Sequence, residues 1–155
     1  MTQPLPQSFY TPSALAVARA LLGMRMVRVL PNGARLSGRI VETEAYSGID
    51  DLASHGHGRR TPRNLPMYGP PGRAYVYFTY GMHFCFNIVC GRLNQPVAVL
   101  LRALQPTEGQ AAMLTHTRRD ARAGDLPIHK LCAGPARLCR ALAINLDLNA
   151  INLAT

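Results

Sequence analysis

The segment AYVYFTYGMHFCFNIVC (residues 74–90) decides the fold class of this chain. Ala74–Tyr80 is rich in β-branched and aromatic residues, Gly81 interrupts the run, and Met82–Cys90 resumes it. This pattern predicts a β-hairpin whose side chains alternate between two faces. Two interpretations stay open. The hairpin is either a core strand pair packed on both faces, or Tyr77 lines a cavity while Tyr80, beside the permissive Gly81, projects from the tip.

Further strands are predicted on both sides of this hairpin. Met24–Leu30 and Ala34–Tyr46 read as two strands, and the turn residues PNG (31–33) between them predict a second hairpin. Val97–Leu104 is a short apolar run that indicates one more buried strand. Between the two hairpins, residues 47–73 form a long irregular stretch, and loops of this length in a compact domain are commonly functional.

Helices are predicted at both ends of the chain. Thr11 is placed to cap a first helix, with Pro12 at its first position, Ser13–Leu22 as its body and Gly23 after it. Two later helices are predicted to begin at prolines, Pro106–Arg119 and Pro135–Ala143. The order of helix, hairpins, strand and helices predicts an α+β fold in one domain, residues 1–155, with a central, mostly antiparallel curved sheet flanked by helices.

Composition excludes several classes of protein. Of the 155 residues, 48% are hydrophobic and 16% are charged, which excludes an intrinsically disordered chain. The sequence has no apolar run of membrane-spanning length and no basic segment before its first apolar stretch, so we expect a cytoplasmic protein with no secretory signal. Its cysteines are spaced unlike common zinc sites and are expected to be reduced, mostly buried thiols: Cys85, Cys90, Cys132 and Cys139.

The charge distribution points to a polyanionic partner. Lys and Arg number 17 against 8 Asp and Glu, and from Leu52 to Thr107 there is no acidic residue. That acid-free window also holds seven of the ten Phe and Tyr residues, interleaved with arginines. Arginine beside aromatic rings suits phosphate contact and base stacking, so nucleic acid is the favoured partner. The alternative is a genomic preference for arginine codons combined with a charge that keeps the protein soluble.

The segment IVETEAY (residues 40–46) carries the candidate chemistry. In a regular strand, Ile40, Glu42, Glu44 and Tyr46 share one face. Two glutamates on an apolar strand are either a solvent-facing edge with salt bridges, or a carboxylate held in a pocket as a general base. A metal site built from this pair with Asp50 and His55 is a minor alternative, because no further ligand follows at a recognisable spacing.

Several motifs in one order resemble a known family. RIVETEAYSG (39–48), TPRN (61–64), YVYFTYGMHFCFNI (75–88), VLLRALQPTEG (99–109) and LCAGPARLCRALAIN (131–145) are similar to the alkyladenine (3-methyladenine, methylpurine) DNA glycosylases, over residues 8 to 150. The resemblance implies a hydrolase of base excision repair, of the DNA-3-methyladenine glycosylase II type. Such an enzyme flips alkylated or deaminated purines out of duplex DNA and leaves an abasic site.

The resemblance also implies site residues. Its catalytic glutamate matches Glu44, and the arginine that helps to hold the attacking water matches Arg102. Residues implied to contact the flipped base are Tyr46, His55 and Tyr77, with Asn87 as a steric gate against guanine. The intercalating residue matches Tyr80, a wedge of the kind that bends DNA. With it, we expect DNA contacts from Met82, Arg59, Arg60 and Arg63.

The lysine count and the C-terminus refine these expectations. Glycosylases that also nick the backbone need an amine nucleophile, and the single lysine, Lys130, lies outside the aromatic window. We therefore expect a monofunctional, cofactor-free enzyme that acts as a monomer on damaged double-stranded DNA and associates with a bacterial nucleoid. The resembled family continues past residue 155, so this sequence is either naturally short or lacks the family's C-terminal segment. In the second case we expect an unpaired sheet edge and a pocket that is open on one side. The alternative function is a damaged-DNA-binding module of the same fold without catalysis.

Overall fold

One antiparallel sheet organises the molecule. The computed structural model describes residues 3–118 and 126–154 and contains a curved five-stranded sheet with the strand order β1-β2-β5-β4-β3. The strands are β1 (Arg25–Val29), β2 (Arg35–Tyr46), β3 (Ala74–Thr79), β4 (His83–Val89) and β5 (Ala98–Glu108). Both predicted hairpins, β1–β2 and β3–β4, are present, and the α+β class is confirmed.

Three α-helices pack on one face of this sheet: α1 (Ala14–Leu21), α2 (Gln110–Thr117) and α3 (Pro135–Ala141). Their apolar residues share a buried core with the strand residues that point the same way, among them Val76, Phe86 and Leu101. The opposite face has a smaller apolar cluster of Met67, Tyr75, Val89 and Ala98, covered by the loop 47–73. The sheet is thus packed on two faces. The candidate site lies on the face without α-helices, here called the helix-free face, which is covered in part by the 3₁₀ turn Leu65–Tyr68.

The first helix begins two residues later than predicted. Ser13, not Thr11, is its N-cap, and the Ser13 hydroxyl accepts a hydrogen bond from the Ala16 amide. Thr11 instead donates its hydroxyl hydrogen to the Ser8 carbonyl and closes a preceding 3₁₀ turn, Gln7–Tyr10. Thr11 and Ser13, on either side of Pro12, offer two capping positions, and the second is used.

The prediction that Pro106 opens a helix is wrong. Strand β5 continues through Pro106, which pairs with Gly38, and helix α2 starts only at Gln110. Pro106 fits the strand because β4 pairs with β5 only from Ala98 to Leu100, so no β4 neighbour needs its missing amide hydrogen. Gly109 makes the corner with φ 77°, where an added Cβ would lie 2.5 Å from the Arg35 carbonyl oxygen.

The ends of the two later helices also differ from prediction. Arg119, the predicted end of the second helix, lies outside the described residues. Helix α3 begins at Pro135 as predicted but ends at Ala141, because Ala143 has φ 50° and cannot continue a right-handed helix.

Irregular pairing in β2 changes which residues share a face. Register shifts lie between Ile40 and Glu42 and between Glu42 and Thr43. Ile40 packs in the helix-side core, whereas Val41 and Glu42 are both exposed. The predicted single face from Ile40 to Tyr46 is therefore wrong at its first residue. Strand β1 pairs with β2 only from Arg35 to Arg39, so Glu42 and Glu44 lie on a part of β2 that has only β5 beside it. Both glutamates form the salt bridges expected of a solvent-facing edge.

The C-terminal residues cover part of one sheet edge. The Ala74 amide donates to the Ile151 carbonyl and the Ala150 amide to the Ala74 carbonyl, each over 2.9 Å. The Asn149 side chain accepts from the Val76 amide over 3.0 Å. The start of edge strand β3 is therefore hydrogen-bonded, contrary to the expectation of a bare edge there. Among the described residues, no helix has the length and apolar character needed to cross a bilayer.

Candidate active site

A row of directly opposed residues crosses four strands on the helix-free face. Glu44 of β2 pairs with Leu100 of β5, Leu100 with Asn87 of β4, and Asn87 with Tyr75 of β3. Opposed residues in antiparallel strands point to the same side of the sheet. The sheet therefore gathers on one surface residues that are up to 56 positions apart in the chain.

Glu44 is held by two donors. The Tyr46 hydroxyl donates to Glu44 Oε1 over 3.0 Å, and Arg102 Nη1 donates to Glu44 Oε2 over 2.8 Å. Arg102 also donates from Nε to Glu42 Oε1 over 3.1 Å. Burial, followed by the hydrogen bond to Glu44, raises the pKa of Tyr46 to about 12. Tyr46 is therefore protonated at neutral pH and can act as a hydrogen-bond donor.

Glu44 remains partly open to solvent. Its side chain is 40% exposed, and each carboxylate oxygen has one protein hydrogen bond and a further lone pair. The carboxylate can accept a hydrogen bond from a water molecule without losing Tyr46 or Arg102. Hydrogen bonds to Glu44 and Glu42 raise the pKa of Arg102, so the guanidinium keeps its charge.

An aromatic cavity adjoins this carboxylate through the Tyr46 ring. Its volume is about 30 Å³, and its walls are Tyr46, Ala53, His55, Met67, Tyr75, Tyr77 and Asn87. The His55 and Tyr77 rings touch across it, with centroids 4.3 Å apart and planes inclined by 58°. A cavity of this volume has room for water but is far too small for a purine base. A purine does not fit between these rings until His55 and Tyr77 separate.

His55 is fixed by contacts on two sides. Its Nδ1 lies 3.0 Å from the Tyr75 hydroxyl, and its backbone carbonyl accepts from Asn64 Nδ2 over 2.7 Å. Burial, and then the charge of Arg63, lower the pKa of His55, which favours the neutral ring. A neutral imidazole bound at Nδ1 keeps Nε2 for a second partner.

Asn64 and Tyr75 are supporting residues that the sequence analysis did not identify. Asn64 is 3% exposed, accepts from the Thr61 amide, and also donates to the Arg59 carbonyl, so one side chain ties three points of the loop. Tyr75 is 1% exposed and its carbonyl accepts from Asn87 Nδ2 over 3.1 Å. The only signal in the sequence is the Thr-x-x-Asn spacing in a loop, which is typical of a side chain that closes a turn.

Tyr80 projects from the tip of the β3–β4 hairpin. Tyr80 and Gly81 both have positive φ, 51° and 67°, as a type I′ turn requires. The Tyr80 residue is 89% exposed and Met82 is 65% exposed. An exposed tyrosine in a left-handed conformation costs free energy without a packing gain, which is typical of residues retained for function.

The predicted DNA-binding arginines have different surroundings. Arg63 donates to the Phe78 carbonyl over 3.0 Å and lies 5.4 Å from the Tyr77 ring centroid, between hairpin and cavity. Arg60 stacks 4.2 Å from the Tyr68 ring and donates to Asn94. Arg59 is exposed. All three belong to the loop 47–73 that covers the helix-free face.

Other predicted features lie away from this site. The cysteines are free and buried, as expected. Within residues 3–118 and 126–154, no three His, Cys, Asp or Glu side chains are grouped closely enough to hold a metal ion. The residues of the minor metal-site hypothesis do not come together, because Arg102 binds both glutamates while His55 binds Tyr75.

A larger cavity, of about 450 Å³, opens on the other side of the molecule. Apolar side chains of β1, of the sheet's helix side and of both chain ends form most of its wall, including Tyr10, Met26, Phe86 and Leu153. Its wall contains no carboxylate and no histidine, so size alone does not identify the candidate active site.

Comparison with known proteins identifies the family of this chain. Residues 8–155 match the model of the family described as Methylpurine-DNA glycosylase (MPG). The chain belongs to this family.

Individual relatives are similar over nearly all of this chain. It is 49% identical over 150 residues to the "DNA-3-methyladenine glycosylase" of Homo sapiens, covering 94% of this chain and 50% of that protein. It is 45% identical over 152 residues to a "Putative 3-methyladenine DNA glycosylase" of Desulfitobacterium hafniense, covering 96% of this chain and 74% of that protein. The chain thus spans half the length of the human relative and about three quarters of the bacterial one.

Proposed function

We propose that this protein is a monofunctional DNA glycosylase that removes alkylated or deaminated purines from double-stranded DNA and leaves an abasic site. The observation that carries the proposal is the position of Glu44, which two donors hold beside an aromatic cavity on the helix-free face. Its family membership supports the same function. A protein with this function belongs to base excision repair and acts where genomic DNA is found.

The first step is extrusion of the damaged nucleotide. A base inside a duplex cannot reach Glu44, so the nucleotide must leave the stack at a cost of a few kcal/mol. Tyr80 is exposed at the hairpin tip and can stack in the vacated position, with Met82 beside it. We expect the arginines of the covering loop to bind DNA phosphates: Arg59, Arg60 and Arg63.

The second step is capture of the base in the aromatic cavity. Tyr46, His55 and Tyr77 line it, and Asn87 lies in its wall. Base–aromatic stacking contributes about 1–3 kcal/mol per ring. Because His55 now touches Tyr77, capture requires movement of the loop that holds His55. In the captured state, Nε2 of the neutral His55 ring is free to form a hydrogen bond with the base edge. Asn87 sterically excludes the exocyclic amine of guanine.

The third step is hydrolysis. Glu44 accepts a proton from a water molecule that attacks C1′ of the sugar, and the C1′–N bond breaks with its electron pair leaving on the base. The carboxylate also stabilises the positive charge that develops on the sugar. Arg102 and Tyr46 orient Glu44 throughout. A purine that is alkylated is electron-poor and leaves readily, so no cofactor is required.

The fate of the abasic site follows from the lysine position. Lys130 is exposed and directly precedes Leu131 and Cys132, which are buried in the helix-side core. It therefore belongs to the side of the sheet opposite Glu44. With no lysine beside the cavity, strand scission through a Schiff base is not expected.

A second candidate function is binding to damaged DNA without excision. The narrow cavity favours it, because the present contact between His55 and Tyr77 leaves no room for a base. Both functions predict preferential binding to a lesion, and only the first predicts an abasic product.

One experiment separates the two. The full chain is incubated with a duplex that carries a single hypoxanthine or 1,N6-ethenoadenine, with and without EDTA, and abasic sites are revealed by alkali. We expect alkali-dependent cleavage that EDTA does not affect. Binding without cleavage would favour the binding module, cleavage without alkali would indicate a lyase, and loss with EDTA would indicate a metal-dependent reaction.

A further inference from the structure

Glu42 contacts the proposed catalytic group through a shared guanidinium. The Arg102 side chain bridges two carboxylates, with Nε on Glu42 Oε1 at 3.1 Å and Nη1 on Glu44 Oε2 at 2.8 Å. These two contacts use different nitrogens, so Glu42 and Glu44 do not compete for one donor. Hydrogen bonds at both ends of the planar guanidinium group therefore fix the orientation of the Arg102 side chain.

The pairing of β2 with β5 brings both glutamates to Arg102. Glu42 lies opposite Ala103, next to Arg102, and Glu44 lies opposite Leu100. Arg102 thus lies between the two partner positions, and both glutamates reach it from positions on its two sides.

The charge of the cluster differs from that of a simple ion pair. Arg102 alone would neutralise Glu44, whereas two carboxylates and one guanidinium carry a net charge of −1. The negative charge comes from two glutamates outside the segment Leu52–Thr107, which includes Arg102 and contains no acidic residue. A carboxylate that is 55% exposed near a polyanion weakens DNA binding, so Glu42 has no evident role in affinity for DNA.

We propose that Glu42 is a positioning residue of the glycosylase reaction. It holds Arg102 through Nε so that Nη1 stays on Glu44, and its charge keeps the cluster negative beside the developing positive charge of the sugar. This inference rests on the proposed function. It concerns the rate of base excision and not the recognition of the lesion.

The test compares two variants at this position. Glu42→Gln keeps the shape and an acceptor for Arg102 but removes the charge, and Glu42→Asp keeps the charge with a shorter reach. We expect the single-turnover excision rate on a hypoxanthine duplex to fall about fivefold in Glu42→Gln, the size typical of an exposed ion pair. Lesion affinity should be unchanged or slightly tighter, and Glu42→Asp should recover part of the rate.

The matched control is Glu108→Gln. Glu108 pairs with Arg35 at 3.4 Å, has a similar exposure of 43%, and also accepts from Ser37, but it lies outside the candidate site. Its substitution changes the net charge by the same amount and should leave the excision rate at the wild-type value. The deficit of Glu42→Gln should also shrink at high salt, because exposed charges are then screened.

The outcomes separate this inference from the function on which it rests. If wild type excises and Glu42→Gln excises equally fast, the positioning role is wrong. Equal losses in Glu42→Gln and Glu108→Gln, or no recovery in Glu42→Asp, would also overturn it. If wild type itself produces no abasic site, the proposed glycosylase function fails and this inference fails with it.

Discussion

The Tyr46 hydroxyl donates a hydrogen bond to Glu44 Oε1 over 3.0 Å, two residues away along the same strand. The Tyr46 hydroxyl thus orients the carboxylate, and the Tyr46 ring forms part of the wall of the adjoining cavity. Glu44 and one wall of the cavity are therefore parts of the same strand, so their relative position is set by β2, whereas His55 on the opposite wall belongs to the covering loop.

Replacement of Glu44 by Gln should separate binding from chemistry. Gln keeps the shape but cannot take a proton from water, so we expect single-turnover excision to fall by about 100-fold or more. Affinity for lesion DNA should stay within about threefold of wild type, because Glu44 is not a stacking residue. Gel-shift titration and alkali cleavage of the same duplex measure the two quantities. Full turnover by this variant would exclude Glu44 as the base.

Replacement of Tyr80 should reduce lesion preference without loss of general DNA affinity. Tyr80→Ala removes the ring, and we expect the ratio of lesion to undamaged binding to fall about tenfold, the value of one stacking contact. Salt-dependent binding to undamaged duplex should persist. Leu93→Ala, which truncates another exposed side chain, is the control. Equal losses for damaged and undamaged DNA would contradict insertion of Tyr80.

The strained backbone at Tyr80 gives a second, independent prediction. Tyr80→Gly removes the left-handed strain at φ 51° together with the ring. The free energy of unfolding should therefore be unchanged or rise by up to about 1 kcal/mol, while lesion preference falls as in Tyr80→Ala. Urea unfolding of both variants measures this difference. A loss of stability in Tyr80→Gly relative to Tyr80→Ala would show that the turn is not strained.

Asn64 should stabilise the loop that carries His55. Asn64→Ala leaves the partly buried backbone groups of His55, Arg59 and Thr61 without their Asn64 hydrogen bonds. We expect a loss of about 2 kcal/mol in stability. The control is Asn32→Ala, which removes one hydrogen bond from an exposed turn and should cost less than about 1 kcal/mol. Equal losses in urea unfolding would show that Asn64 does not organise the loop.

The lowered pKa of His55 predicts acid sensitivity of the fold. The unfolded chain takes up a proton near the ordinary pKa of 6.5, whereas burial and Arg63 oppose protonation in the folded state. Stability should therefore be highest above pH 6.5 and fall as the pH drops through the lowered value. Urea unfolding between pH 5 and pH 7.5 should show a flatter profile for His55→Gln. His57→Gln is the control, because it also removes an imidazole from the loop. If the stability of wild type and of His55→Gln changed with pH in the same way, the prediction would be contradicted.

The sequence determined the strands more reliably than the helix boundaries. Alternating apolar residues fix both hairpins, because period-two burial is a local property of an extended chain. Helix starts depend on which of several caps and prolines is used, and that choice is made by packing. Pro106 illustrates this point, since only the absence of a β4 neighbour allows it to lie within β5.

The sequence alone also determined the residues that carry the candidate chemistry: the glutamates of IVETEAY, the tyrosines of the hairpin and the surrounding arginines. Only the tertiary structure decided that Arg102 bridges both glutamates, that Tyr75 and Asn64 fix His55, and that the cavity is closed by the contact of His55 with Tyr77. These contacts join residues of different strands and loops. Their distances depend on register shifts and sheet curvature, which are properties of the packed sheet and leave no signal in any single segment.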